Sequence, residues 1–356
     1  MRKLIGTHSA IIHSCTRMKN SFEVAEEQQS EVQREEVRMG DENFTSIKYF
    51  VLVGLSNDRR TQILLFVVVF IIYSLTIMGN LVIIILVRLD SSLHTPMYFF
   101  LTHLSSLEIC FVTSTLPQML AHLLSGNGVI SFTHCTLQMY ISLSLGGTEC
   151  LLLSAMAYDR YLAICHPLLY ASIMGWGRQV LLTSLCWAGG FLLGSINAGS
   201  TVRLPFCGPN HINHFFCELP IVLKLSCADT HLTEAFIFVA SVLLLIIPLT
   251  IILISYGLVL SSVLQMRSTT GLRKAFSTCG SHLIVVTLFY STVISMYMIP
   301  RSGSTSDRDK KIAVFYIVVT PLLNPIIYTL RNKDIHGAAA KALRRLAILQ
   351  KLRVAY

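Results

Sequence analysis

Seven long apolar runs, separated by short polar gaps, dominate the chain. They cover Ile63–Val87, Met97–Leu124, Cys135–Leu162, Arg178–Ala198, Thr233–Met266, Arg273–Ile299 and Asp309–Leu330. Each can supply the ~20 residues that cross ~30 Å of hydrocarbon as a helix. A helix is the form lipid imposes, because it satisfies the backbone N–H and C=O groups internally. A transmembrane barrel needs many alternating segments of ~10 residues, which this pattern lacks. The first run starts too late, is too long and lacks the small-residue cleavage site of a removable signal. After Leu330, Ala342, Leu346 and Leu349 share one face while Lys341, Arg344, Arg345 and Lys351 spread over the rest. That pattern predicts a short amphipathic helix lying on the inner leaflet. The expected fold is an all-α membrane protein: a seven-transmembrane helix bundle with a short amphipathic C-terminal helix. Residues 1–62 read as an extracellular N-terminal arm, 63–330 as the bundle, and 331–356 as a cytoplasmic amphipathic helix and tail. Within the arm, residues 1–38 are polar and rich in Glu and Gln, and read as disordered or as an extension from an upstream start ahead of Met39.

Composition agrees with the bilayer. Only 13% of the 356 residues are charged, against about 25% in a soluble domain. The net charge of +9 is uneven: residues 1–60 hold nine Lys/Arg and nine Asp/Glu, so the excess lies beyond them. Those basic residues sit in short gaps between apolar runs, which favours anionic lipid over nucleic acid as the partner. With the C-terminus inside, the cytosolic face collects 13 Lys/Arg, including Arg88, Arg160, Arg178 and Lys274, against six in the opposing loops. The expected protein is a multi-pass plasma-membrane protein with its N-terminus extracellular. The sequon at Asn43 then lies outside, as N-glycosylation requires.

Four cysteines fall on the expected oxidising side: Cys135, Cys207, Cys217 and Cys227. They allow two disulfides in three pairings. His214, Cys217 and Glu218 offer a weak alternative as metal ligands, with an oxidised Cys217 and an ordinary loop His214 as the plainer reading. Inside the membrane, charge is costly and usually functional. Glu108 lies 11 residues after Met97 and Glu149 lies 11 before Arg160, so both stand roughly 16 Å above the cytosolic face. Asn80 and Asn324 are expected at roughly 12 Å and 9 Å on the same scale. Together the four predict a polar chamber holding a sodium ion or one shared proton. No nucleophile or metal cluster accompanies the acids, so no enzyme is expected. Pro117, Pro248, Pro321 and Pro325 are expected to interrupt their helices. Asp159 and Arg160 meet at a helix end, where an ion pair suits a switch.

Six segments in order carry a resemblance: Gly79-Asn80, LHTPMYFFL from Leu93, MAYDRYLAICHPLLY from Met156, SYGLVLSSVL from Ser255, RSTTGLRKAFSTCGSH from Arg267, and PLLNPIIYTLRNKD from Pro321. Over residues 39–340 the chain resembles the olfactory (odorant) receptors among the rhodopsin-like G-protein-coupled receptors. The resemblance implies pairing of Cys135 with Cys217 and of Cys207 with Cys227. It implies a G-protein switch built from Asp159, Arg160, Tyr161, Tyr256, Lys274, Asn324, Pro325 and Tyr328, with Ser277 and His282 on the moving inner half of helix six. It implies an odorant pocket at Ser142, Leu143, Gly146, Ala240, Ser241, Tyr290, Val293, Ile294, Tyr297 and Ile317. No carboxylate is expected to face that pocket, which argues against an amine ligand. The implied function is binding of small volatile, mostly apolar molecules and activation of a stimulatory olfactory G protein that raises cyclic AMP. The alternatives are a rhodopsin-like receptor for a non-volatile metabolite, or an ion or proton transporter using Glu108 and Glu149.

Overall fold

A computed structural model describes residues 47–207, 210–265, 269–297 and 306–354. Residues 1–38 and Asn43 lie outside the described residues, as do the side chains of Lys274, Ser277 and Tyr297. The unit considered below is Lys48–Tyr356. Its elements in chain order are β1 (Tyr49–Leu52), α1 (Arg59–Leu89), α2 (Pro96–Ser125), β2 (Val129–Ser131), α3 (Phe132–Cys165), α4 (Pro167–Ile173) and α5 (Trp176–Val202). There follow β3 (His211–Ile212), α6 (Leu219–Leu223), α7 (His231–Gln265), α8 (Thr269–Tyr297), α9 (Ser306–Val314), α10 (Thr320–Arg331) and α11 (Lys333–Val354). Among the described residues, seven helical stretches are long and apolar enough to cross a membrane: α1, α2, α3, α5, α7, the Cys279–Met296 part of α8, and Arg308–Thr329.

The helices outrun the apolar runs because polar residues finish them. Asp58 precedes α1 and accepts hydrogen bonds from the Thr61 amide (2.9 Å) and hydroxyl (2.7 Å). Those bonds hold the Asp58 carboxyl below its usual range. At the end of α2, Gly126 adopts φ 75° and its N–H donates to the His122 carbonyl, the left-handed stop that an L side chain resists. Arg59 donates to the Leu123 and Leu124 carbonyls (3.3 and 2.7 Å), covering acceptors that the helix leaves open.

The last span departs from regular helix. A π turn at Phe315–Val319 joins α9 to α10. Pro321 therefore occupies the first turn of α10, where its missing N–H breaks nothing, rather than interrupting a helix. Pro117, Pro248 and Pro325 do lie inside helices.

Helix α3 is the axis of the bundle. Two-thirds (67%) of its most apolar window is buried, against 22% for α1 and for α7. The outer faces of α1 and α7 instead present Leu64, Phe70, Ile71, Leu253 and Ile254, as lipid-facing helices should. Gly190 of α5 lies against Ser144 and Thr148 of α3, where an added Cβ would strike backbone. A close crossing of α3 and α5 follows.

Where α1 and α3 begin, a small sheet closes one end of the bundle. β1 runs antiparallel to β2 with Phe50 opposite Ile130, and parallel to β3 with Leu52 opposite Ile212. At the other end, α11 is seated by Tyr98, whose hydroxyl donates to Asn332 (3.0 Å) and Asp334 (3.1 Å). Lys341 reaches Asp90 in the α1–α2 turn at 3.0 Å. Ala338 and Ala342 share the face of α11 that packs on the core, as the sequence pattern expected of Ala342.

Candidate functional site

A cavity opens between α3, α5, α7, α8 and α10, beneath the segment joining β3 to α6. About 110 Å³ is open to the centre of a water-sized sphere, whereas one water needs roughly 10–15 Å³ on that measure. Five expected pocket residues line it: Ser142, Leu143, Gly146, Ser241 and Val293. Four others do not. Tyr290 is buried with its hydroxyl donating to the Cys150 carbonyl (3.4 Å), and Ile294 packs into the inner half of the core. Ala240 lies half-buried on α7, where Ser241, Leu244 and Leu245 form the wall instead. Ile317 is 1% exposed inside the second core cluster because the π turn shifts the phase of the helix. Tyr316 and Thr320 take the lining positions.

The roof comes from the loop before α6. Phe215, Phe216 and Cys217 are buried, and Phe216, Glu218 and Leu219 face the cavity. A Cys135–Cys217 disulfide, with Cα atoms 5.4 Å apart, ties that loop to α3. Cys207 and Cys227 form the second bond, with Cα atoms 5.8 Å apart. The bonded sulfur of Cys217 is no thiolate ligand for a metal. His214 and Glu218 instead approach each other to 3.8 Å, both buried. Gln138 holds the arrangement from inside α3: its carbonyl accepts from the Cys217 N–H (2.9 Å) and its amide donates to the Ser114 carbonyl (3.3 Å).

The floor holds the expected chamber. Glu108 and Glu149 both line the cavity, and the Asn324 amide donates to the Glu108 carboxylate. Asn80 donates to the Thr76 carbonyl of its own helix (3.0 Å). Three carboxylates, Glu108, Glu149 and Glu218, therefore face a cavity expected to have none. The error came from placing the acids by depth alone: the cavity runs down to them, and the loop carries Glu218 in from above.

At the opposite end of α3, Asp159 and Arg160 form an ion pair at 3.2 Å, both buried. Tyr170 of α4 donates to the other Asp159 oxygen at 2.8 Å. Burial, followed by the Asp159 charge, pushes the Tyr170 phenol up, so it stays a donor at neutral pH. The Tyr256 hydroxyl bonds His282 (2.7 Å), while Tyr328 is buried with no hydrogen-bond partner for its hydroxyl among the described residues. Tyr161 turns to His166 (2.9 Å) in the following loop. Pro325 packs against Gly79, where an added Cβ would meet its ring at 3.2 Å.

The family model described as olfactory receptor matches residues 67–345, which take in most of the bundle and the start of α11. The chain belongs to the olfactory receptor family. It is 48% identical to human olfactory receptor 2D2 over 303 residues, covering 85% of this chain and 98% of that protein. It is 46% identical to human olfactory receptor 2G6 over 300 residues (84% and 95%), and 47% identical to the dog olfactory receptor-like protein OLF3 over 308 (86% and 97%). As an olfactory receptor the chain is a multi-pass membrane protein of a receptor family, with seven spans. Sequence reasoning missed several residues of its site. Gln138 could have been found as a lone amide one turn after Cys135 in an apolar run. Asn197 of α5, another cavity-lining amide, carried the same signal. Tyr170 closes the MAYDRYLAICHPLLY segment, but only the turn into α4 brings it back onto Asp159.

Proposed function

We propose that this olfactory receptor binds a small, largely apolar odorant in the cavity around α3 and answers by activating a stimulatory olfactory G protein, raising cyclic AMP. The N-terminus is extracellular and the C-terminus cytoplasmic on this reading. The observation that carries it is that one helix bears both ends of the device. The first half of α3 supplies Ser142, Leu143 and Gly146 to the cavity wall, and its last turns hold Arg160 closed against Asp159 and Tyr170. Leu168 of α4, 96% exposed beside that latch, adds an apolar contact for the transducer. At rest, Glu108, Glu149 and Asn324 share a sodium ion or a proton.

Arg160→Ala tests the assignment. The variant is expected to reach the cell surface and bind odorant as wild type does, yet to give no cyclic AMP response. A normal response from it removes the proposed switch.

A further inference from the structure

The cavity is rich in acceptors and poor in donors. Its lining contains three carboxylates and no Lys, Arg or His. The Ser142 hydroxyl donates to the Met139 carbonyl (3.1 Å) and Thr320 to the Phe315 carbonyl (3.3 Å), so these wall hydroxyls direct their protons into backbone. Two lining acceptors, Glu149 Oε1 and Asn197 Oδ1, have no hydrogen-bond partner among the described residues. Their side chains belong to residues only 5% and 6% exposed. Buried acceptors left in this state are costly, and a buried carboxylate without a counter-charge more so. Of the three acids, Glu108 accepts from Asn324 and Glu218 lies beside His214. Glu149 is the one facing the cavity with an oxygen uncommitted.

We infer that the odorants preferred by this receptor carry a protonated amine on a short apolar body, with the ammonium seated at Glu149. This rests on the receptor reading above and names its ligand class. An ammonium brings three donors and no acceptor, the complement of Glu149 Oε1 and Asn197 Oδ1. Phe111, Leu143, Leu193, Leu244 and Phe289 enclose the carbon chain. The ligand head replaces the sodium ion or proton of the resting chamber, so the agonist acts on the floor of the bundle directly.

The test uses the full-length receptor and straight-chain amines of five to eight carbons, beside the matching alcohols, aldehydes and carboxylates. Two readouts run in parallel: cyclic AMP per receptor at the cell surface, and thermal stabilisation of the purified protein. Amines are expected to be more potent than the matched alcohols by at least about tenfold, the factor a charge-assisted hydrogen bond supplies, and carboxylates to be inactive. Glu149→Gln is expected to remove most of that amine advantage while moving the alcohols by less than about threefold. Asn197→Leu provides a second variant with a smaller loss of the same sign. Equal shifts for amines and alcohols in Glu149→Gln would assign Glu149 to the ion chamber alone and overturn the inference. So would aldehydes or carboxylates outranking amines in both readouts. If amines stabilise wild type but not Glu149→Gln while no odorant raises cyclic AMP, the amine site stands and the receptor reading falls. If other odorants signal and amines neither signal nor stabilise, the receptor reading stands and the amine site falls.

Discussion

Gln138 joins three parts of the molecule through one side chain: α3, the backbone of the loop at Cys217, and the α2 carbonyl of Ser114. Both bonds are shielded from water, since Gln138 is 2% exposed and Cys217 is fully buried. Gln138→Leu keeps the volume and strands a buried donor and a buried acceptor. The expected loss is about 1–3 kcal/mol per stranded group, read as a lower unfolding temperature of the purified receptor with the Cys135–Cys217 bond intact. An unchanged melting curve would mean that water replaces the amide. Such a residue shows where sequence reading stops. Glu108 and Glu149 stood out because charge in an apolar run is conspicuous, and their depths could be counted. Their directions could not: a carboxylate at known depth faces the cavity or a neighbouring helix according to helix phase, which a π turn or a proline changes.

Elements were legible in proportion to their length. Seven runs of about 20 apolar residues leave lipid one solution, and all seven spans are present. Their ends moved outward because Asp58, Gly126 and Arg59 cap helices from positions that hydropathy ignores. The sheet was illegible because its strands are two to four residues long and come from three distant stretches of chain. The seat of α11 gives this scale its prediction. Asp90 is held down to about 2 from an ordinary 3.8, first by the Ser92 hydroxyl and amide and then by Lys341. A carboxyl lowered by folding contributes stability that is complete above about 3.8 and lost as pH falls through about 2. Lys341→Ala should raise the Asp90 midpoint only part of the way toward 3.8, because the Ser92 bonds remain. Carboxyl-selective NMR titration of wild type and variant reads this directly. A midpoint that does not move would detach α11 from the α1–α2 turn.

Across the whole molecule, the cavity and the latch communicate only if some contact distinguishes the resting arrangement from the active one. The Tyr170–Asp159 hydrogen bond is such a contact, since it reinforces the carboxylate that holds Arg160. A hydrogen bond to a charged group is worth about 1.5–3 kcal/mol net. Losing one that exists only at rest therefore shifts the equilibrium roughly tenfold or more toward the active state. Tyr170→Phe keeps the ring and removes the bond. It should raise basal cyclic AMP per surface receptor while leaving the maximal response in place. Linkage fixes a second outcome. If the active state binds odorant more tightly, the variant that populates it must bind odorant more tightly too, approaching the affinity of the active state itself. Basal activity and agonist affinity should thus rise together in Tyr170→Phe, whereas Arg160→Ala should leave affinity near wild type and silence both basal and stimulated signalling. A Tyr170→Phe receptor with raised basal activity and unchanged affinity would show that the latch and the cavity are not coupled through α3.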